Sequence, residues 1–105
     1  MKDTELIPEV TARIVRQFNP LKVILFGSHA RGDAGPQSDI DLLVVLPRVE
    51  NKRKAAVEIR RALAGLPLFK DIVVTTPDEI SRRGHLVGTV LRPALREGKV
   101  LYDRS

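Results

Sequence analysis

The sequence predicts an α/β chain, α+β in some schemes, built as a small mixed β-sheet flanked by helices. Three observations carry this. Strand-length segments rich in apolar residues fall at 23–26, 40–46 and 69–75; segments with helical spacing fall at 4–18 and 51–63; and Gly, Pro or Asn punctuates most junctions between them. At 105 residues the chain is expected to form a single domain, 1–105, because two pieces would each bury too little apolar surface.

The first helix is expected over 4–18, where Leu6, Val10, Ile14 and Phe18 recur at helical spacing. Pro8 lies near enough to its start to be tolerated, and Asn19-Pro20 stops it. Residues 23–26 form a short strand ended by Gly27-Ser28, followed by a short helical turn through Ala30 and a loop over 32–36. Residues 40–46 are apolar except at Asp41, as a strand covered on both faces would be, and Pro47 ends it. A second long helix occupies 51–63, with Ala55, Ile59, Ala62 and Leu66 on one stripe and Gly65 as its stop. Residues 69–75 make a third strand. Thr76-Pro77-Asp78-Glu79 then matches a capping box with Pro at the first helical position. Further helix is expected over 85–96, interrupted by Pro93 and stopped by Gly98, before an edge strand over 99–102.

Composition narrows the function classes. The absence of cysteine excludes disulfides and thiolate metal sites and suits a reducing compartment. No apolar stretch approaches the ~20 residues of a membrane span, and MKDTELIPEV lacks a basic-then-apolar leader pattern, so a cytoplasmic location is expected with no membrane partner. A formal charge of +5 invites a nucleic-acid reading. The cations, however, fall in short runs at Lys52-Arg53-Lys54, Arg60-Arg61 and Arg82-Arg83, the pattern of a solvated helix face. One Tyr, three Phe and no Trp leave little for base stacking, so nucleic acid is not the expected partner.

The chemistry concentrates in residues 25–46, LFGSHARGDAGPQSDIDLLVVL. Alternate residues of a strand share a face, so Asp39 and Asp41 project together, with backbones about 6.6 Å apart at ~3.3 Å per residue. Carboxylates so placed repel one another unless a cation or proton neutralises them. Hard oxygen ligands of this kind favour Mg²⁺ or Mn²⁺, which also bind phosphate oxygens. At the end of the preceding strand Gly27 lets a phosphate approach the backbone, while the Ser28 hydroxyl and the following amides can donate to its oxygens. Arg31 is the fixed cation expected to face a leaving pyrophosphate. Each feature alone is weak: Asp-x-Asp is most often a turn or strand-start cap, Gly-Ser an ordinary turn, and Arg31 a surface cation. Their combination, Gly-Ser after a strand, ten residues from His29 to Ser38, then Asp-Ile-Asp entering a buried strand, is specific.

That pattern resembles the minimal nucleotidyltransferases of the DNA polymerase beta superfamily, whose signature is Gly-Ser, ten residues, Asp-x-Asp. GSHARGDAGPQSDIDLLVV is similar to the family's Gly-Ser-x-Ala-Arg-Gly … Ser-Asp-x-Asp-Leu, and the likeness continues through DIVVTTPDEI and LREGKVLYDR. The resemblance implies the nucleotidyltransferase fold and a nucleotide-binding set of Gly27, Ser28, Arg31 and Ser38. It also implies a third acid from a later strand, matched by Asp71 at the opening of Asp71-Ile72-Val73-Val74. Asp78 and Glu79 already have a role in the helix cap. Asp39, Asp41 and Asp71 are thus the expected catalytic and metal-binding acids, holding two Mg²⁺ ions, with Mn²⁺ as the alternative. His29 is a departure, since many relatives carry Arg there.

The implied activity is Mg²⁺-dependent transfer of AMP from ATP to a hydroxyl. Family members this short resemble the antitoxin half of a module whose other half is a HEPN-domain ribonuclease toxin, so the expected acceptor is a tyrosine of that toxin within a hetero-oligomer. The alternative is a non-catalytic antitoxin or regulatory subunit that binds nucleotide and covers its partner stoichiometrically. Three mutually repelling acids favour the enzyme, because a purely steric inhibitor has no need of them.

Overall fold

In the computed structural model of the chain, the described residues are 3–27, 40–66, 70–83, 96 and 98–104. Their elements in chain order are α1 (Asp3–Phe18), β1 (Lys22–Phe26), β2 (Ile40–Val45), α2 (Lys52–Ala62), β3 (Lys70–Thr75), α3 (Pro77–Arg83) and β4 (Lys99–Asp103). The sheet has the order β3-β2-β1-β4. β1 runs antiparallel to both β2 and β4, whereas β2 and β3 are parallel, so the sheet is mixed and β4 forms an edge, as the sequence predicts.

The helix signals act largely as read. α1 ends where Asn19 adopts φ 48° and its N–H donates to the Val15 carbonyl at 3.1 Å, an αL cap followed by Pro20. Pro8 lies inside α1 in its second turn, deeper than the first-turn position where proline has no missing partner. α2 starts on Asn51, whose side chain accepts from the Lys54 N–H at 3.0 Å. Its buried stripe differs slightly from the expected one: Ile59 and Leu63, one turn apart, are fully buried, and Ala55, Ala56 and Leu66 pack beside them. Gly65, at φ 92°, then turns the chain, as a glycine can at no steric cost. α3 begins with Pro77, and the Glu79 N–H donates to the Thr76 hydroxyl at 3.2 Å, the forward half of the expected capping box.

One face of the sheet carries the main core. Val23 and Leu25 of β1, Ile40, Leu42 and Val44 of β2, and Ile72 and Val74 of β3 pack with Val10 and Ile14 of α1 and Ile59 and Leu63 of α2. The intervening residues face the other way, where Ile24 and Leu43 are buried beside Phe26 and Val73. β2 is therefore buried on both faces, and its one charged residue, Asp41, is the exception that the apolar run makes conspicuous. Arg13 ties α1 to the end of α2 within the helical layer by donating to the carbonyls of Ala62 and Ala64 at 3.3 and 3.4 Å, where the end of α2 leaves acceptors without helical partners. The expected turn through Ala30, the 32–36 loop and residues 84–95 of the later helix lie outside the described residues; Arg96 is helical.

Candidate active site

Strand register brings two of the expected acids together. Asp41 and Asp71 are partners in the parallel β2–β3 pair, and neighbouring strands lie about 4.8 Å apart. Alternation puts both on the face opposite Leu42 and Ile72, so the carboxylates rise from adjacent strands on one side of the sheet. They are 30 residues apart in sequence, and only the parallel pairing makes them neighbours. Asp41 is half-buried, whereas the Asp71 side chain is 55% exposed.

β1 supplies the other wall. Phe26 is the partner of Asp41 in the antiparallel pair, and Gly27 follows it with φ 76°. A Cβ on Gly27 would overlap Asp41 Oδ2 and lie 3.2 Å from its Cγ. The Asp41 carboxylate thus occupies the space that the missing Gly27 Cβ leaves. Gly27 is expected to admit a phosphate; the group that lies against it in the structure is the Asp41 carboxylate.

A cation missed in the sequence also reaches the site. Arg60, in the last turn of α2, places Nη2 3.3 Å from Asp71 Oδ1. The expectation of a solvated basic face holds for Lys52, Arg53, Lys54, Arg61 and Arg82, and Arg60 is exposed as well, but its head group pairs with Asp71. The available signal was Arg60's place next to the buried Ile59, at the edge of the stripe that packs on β3. Of the remaining expected site residues, Ser28, Arg31, Ser38 and Asp39 lie outside the described residues, as does His29. Among the described residues no cluster of three or more metal-ligating side chains occurs. A separate apolar groove of about 520 Å³ between α1 and β4, lined by residues such as Ile7, Ala12, Val15 and Leu101, contains no acid and shares no residue with this site.

The donor set is all oxygen and acidic, and such a set fits a hard divalent cation with phosphate. The described part of the site is thus a small mixed sheet with paired acids on adjacent strand mouths and a glycine-ended strand beside them. The chain belongs to the nucleotidyltransferase domain family, whose model matches residues 8–96. Among solved structures it is similar to a candidate nucleotidyltransferase from Sulfolobus solfataricus, with 24% identity, a TM-score of 0.66, and coverage of 95% of this chain and 79% of that one. It is also similar to a mutant of the toxin–antitoxin MntA–HpeT, with 21% identity, a TM-score of 0.63, and coverage of 91% and 72%. A toxin–antitoxin structure with AMP-PNP gives 22% identity, a TM-score of 0.57, and coverage of 93% and 74%. At these identities the likenesses establish the fold. No curated protein sequence matches the chain.

Proposed function

We propose that this chain is a metal-dependent adenylyltransferase that moves AMP from ATP to a hydroxyl of a partner protein, a tyrosine of a HEPN-type toxin, and thereby acts as an antitoxin. The observation that carries the reading is the register pairing of Asp41 with Asp71 beside Gly27. It agrees with the family, and two of the similar structures are of toxin–antitoxin systems, one with an ATP analogue.

Asp39, Asp41 and Asp71 would hold two Mg²⁺ ions, or Mn²⁺ in their place, which when bound neutralise phosphate charge and lower the pKa of the acceptor hydroxyl. The remaining work belongs to the chain. Gly27, with no Cβ, would let a phosphate come near the strand end once the Asp41 carboxylate turns toward metal, and the Ser28 and Ser38 hydroxyls would donate to its oxygens. Arg31 faces the β- and γ-phosphates and stabilises the charge that develops on them. The acceptor oxygen forms a bond to the α-phosphorus, the bond from that phosphorus to the α–β bridging oxygen breaks, pyrophosphate leaves, and the hydroxyl proton passes to solvent. Catalysis of this kind is placement and charge neutralisation.

The test is incubation of the chain with α-phosphate-labelled ATP, Mg²⁺ and a candidate HEPN-domain partner protein. Label is expected on the partner, abolished by chelator and absent when the label is on the γ-phosphate. Binding of Mg·ATP with a stable complex but no transferred label would instead establish the stoichiometric, non-catalytic antitoxin.

A further inference from the structure

We propose that Arg60 is a built-in counter-cation of Asp71 that competes with divalent metal for that carboxylate and so sets the site's metal affinity. The inference rests on the reading of Asp71 as a metal ligand.

The pair joins the last turn of α2 to the mouth of β3, with Nη2 to Oδ1 at 3.3 Å. The two side chains are 53% and 55% exposed, so water screens them and the pair contributes little to folding. It is better explained by what Asp71 stands beside. Asp41 is its register partner, and two carboxylates on neighbouring strands need positive charge nearby. A guanidinium stays charged at every working pH, so Arg60 can supply that charge whenever metal is absent. Once a divalent ion reaches Asp71, the same fixed charge repels it. Arg60 must then swing away, which its exposure on the last turn of α2 allows, or it weakens the ion's hold. Arg60 is thus a positioning residue, acting through Asp71 rather than on substrate.

The experiment measures binding of Mn²⁺ alone, by electron paramagnetic resonance of the free ion, to the wild type and to Arg60→Gln, Arg60→Lys, Asp71→Asn and the double variant Arg60→Gln/Asp71→Asn. Thermal unfolding of each confirms that it is folded. Arg60→Gln should bind Mn²⁺ about fivefold more tightly, the size that removal of one exposed charge interaction permits, and Arg60→Lys should stay near the wild type. Asp71→Asn should bind more weakly, and on that background Arg60→Gln should have no further effect. Unchanged or weaker binding by Arg60→Gln, with Asp71→Asn still weakened, overturns the competition while leaving Asp71 a ligand. Unchanged binding by Asp71→Asn overturns both.

Discussion

At the scale of single residues, the site is set by one missing atom and two charged ones. Gly27 takes φ 76° and leaves its Cβ space to the Asp41 carboxylate, so Gly27→Ala meets two separate penalties. The backbone term, about 1–2 kcal/mol for an L-residue in the left-handed region, should appear in urea denaturation. The steric term is relieved by rotation of the carboxylate, which is cheap for stability and costly for the site. Binding of the ATP analogue AMP-PNP with Mg²⁺ should therefore fall by more than the stability loss alone accounts for. A variant as stable as the wild type with full nucleotide affinity would show that the glycine is not required. The acids should divide in their effects. Replacing Asp39 or Asp41 by Asn should weaken Mg·ATP binding and transfer together. Asp71→Asn should keep nucleotide binding within a few-fold while transfer falls by about 10²-fold or more, the size of losing one strong electrostatic contact in a transition state. Its folding stability should change by no more than about 1 kcal/mol, because the ion pair it loses to Arg60 is half exposed. Calorimetric ATP affinity beside single-turnover label transfer checks both, and normal transfer by Asp71→Asn would remove it from the mechanism.

Among elements, the junction of β3 and α3 holds the end of the site-bearing strand. Thr75 is fully buried and donates its hydroxyl to Glu79 Oε1 at 2.6 Å, while Lys52 at the start of α2 pairs with Glu79 Oε2. Thr75→Val should cost roughly 1.5–3 kcal/mol, the range for a hydrogen bond to a charged group. Lys52→Ala should cost less than about 1 kcal/mol, since its side chain is 50% exposed. Urea denaturation of the two variants checks the order, and the reverse order would mean that the ion pair, not the buried hydroxyl, anchors α3. The elements themselves were legible because local rules set them: Asn19-Pro20, Asn51, Gly65 and Thr76-Pro77 begin or end helices by hydrogen bonds and φ preferences confined to a few residues. Strand order was not legible. That β2 pairs with β3 in parallel, with Asp41 beside Asp71, is a long-range choice with no local signature, and Asp71 was reached through family resemblance alone. The role of Arg60 is hidden for the same reason: its helical neighbours give it the pattern of any solvated cation, and Asp71 lies beyond the turn at Gly65.

For the whole molecule, net charge and bound ligand make different demands. The charge of +5 would favour RNA only if the cations converged on one surface with stacking groups. Arg53, Lys54 and Arg61 do share one exposed face of α2, but Glu58 lies among them and no aromatic side chain among the described residues lines that face. RNA affinity at physiological salt should therefore stay in the non-specific range of about 10⁻⁴–10⁻⁶ M, as measured by filter binding across a salt series. The acids and Gly27 make the opposite demand, for a ligand that brings metal and phosphate together. A ligand that binds only the folded chain stabilises it by about 2.7 kcal/mol at a concentration of 100 Kd. Each kcal/mol moves Tm by about 4–8 °C in a chain of this size, so saturating Mg·AMP-PNP should raise Tm by roughly 10–20 °C. With chelator in place of Mg²⁺ the same analogue should raise it little, because its phosphates would then face the Asp41 and Asp71 carboxylates with no divalent ion between them. RNA should give no such metal-dependent shift. Scanning calorimetry of the isolated chain decides the matter: an equal shift with and without metal would mean that nucleotide is held away from these acids, and no shift with either would remove the nucleotide site from this face of the sheet.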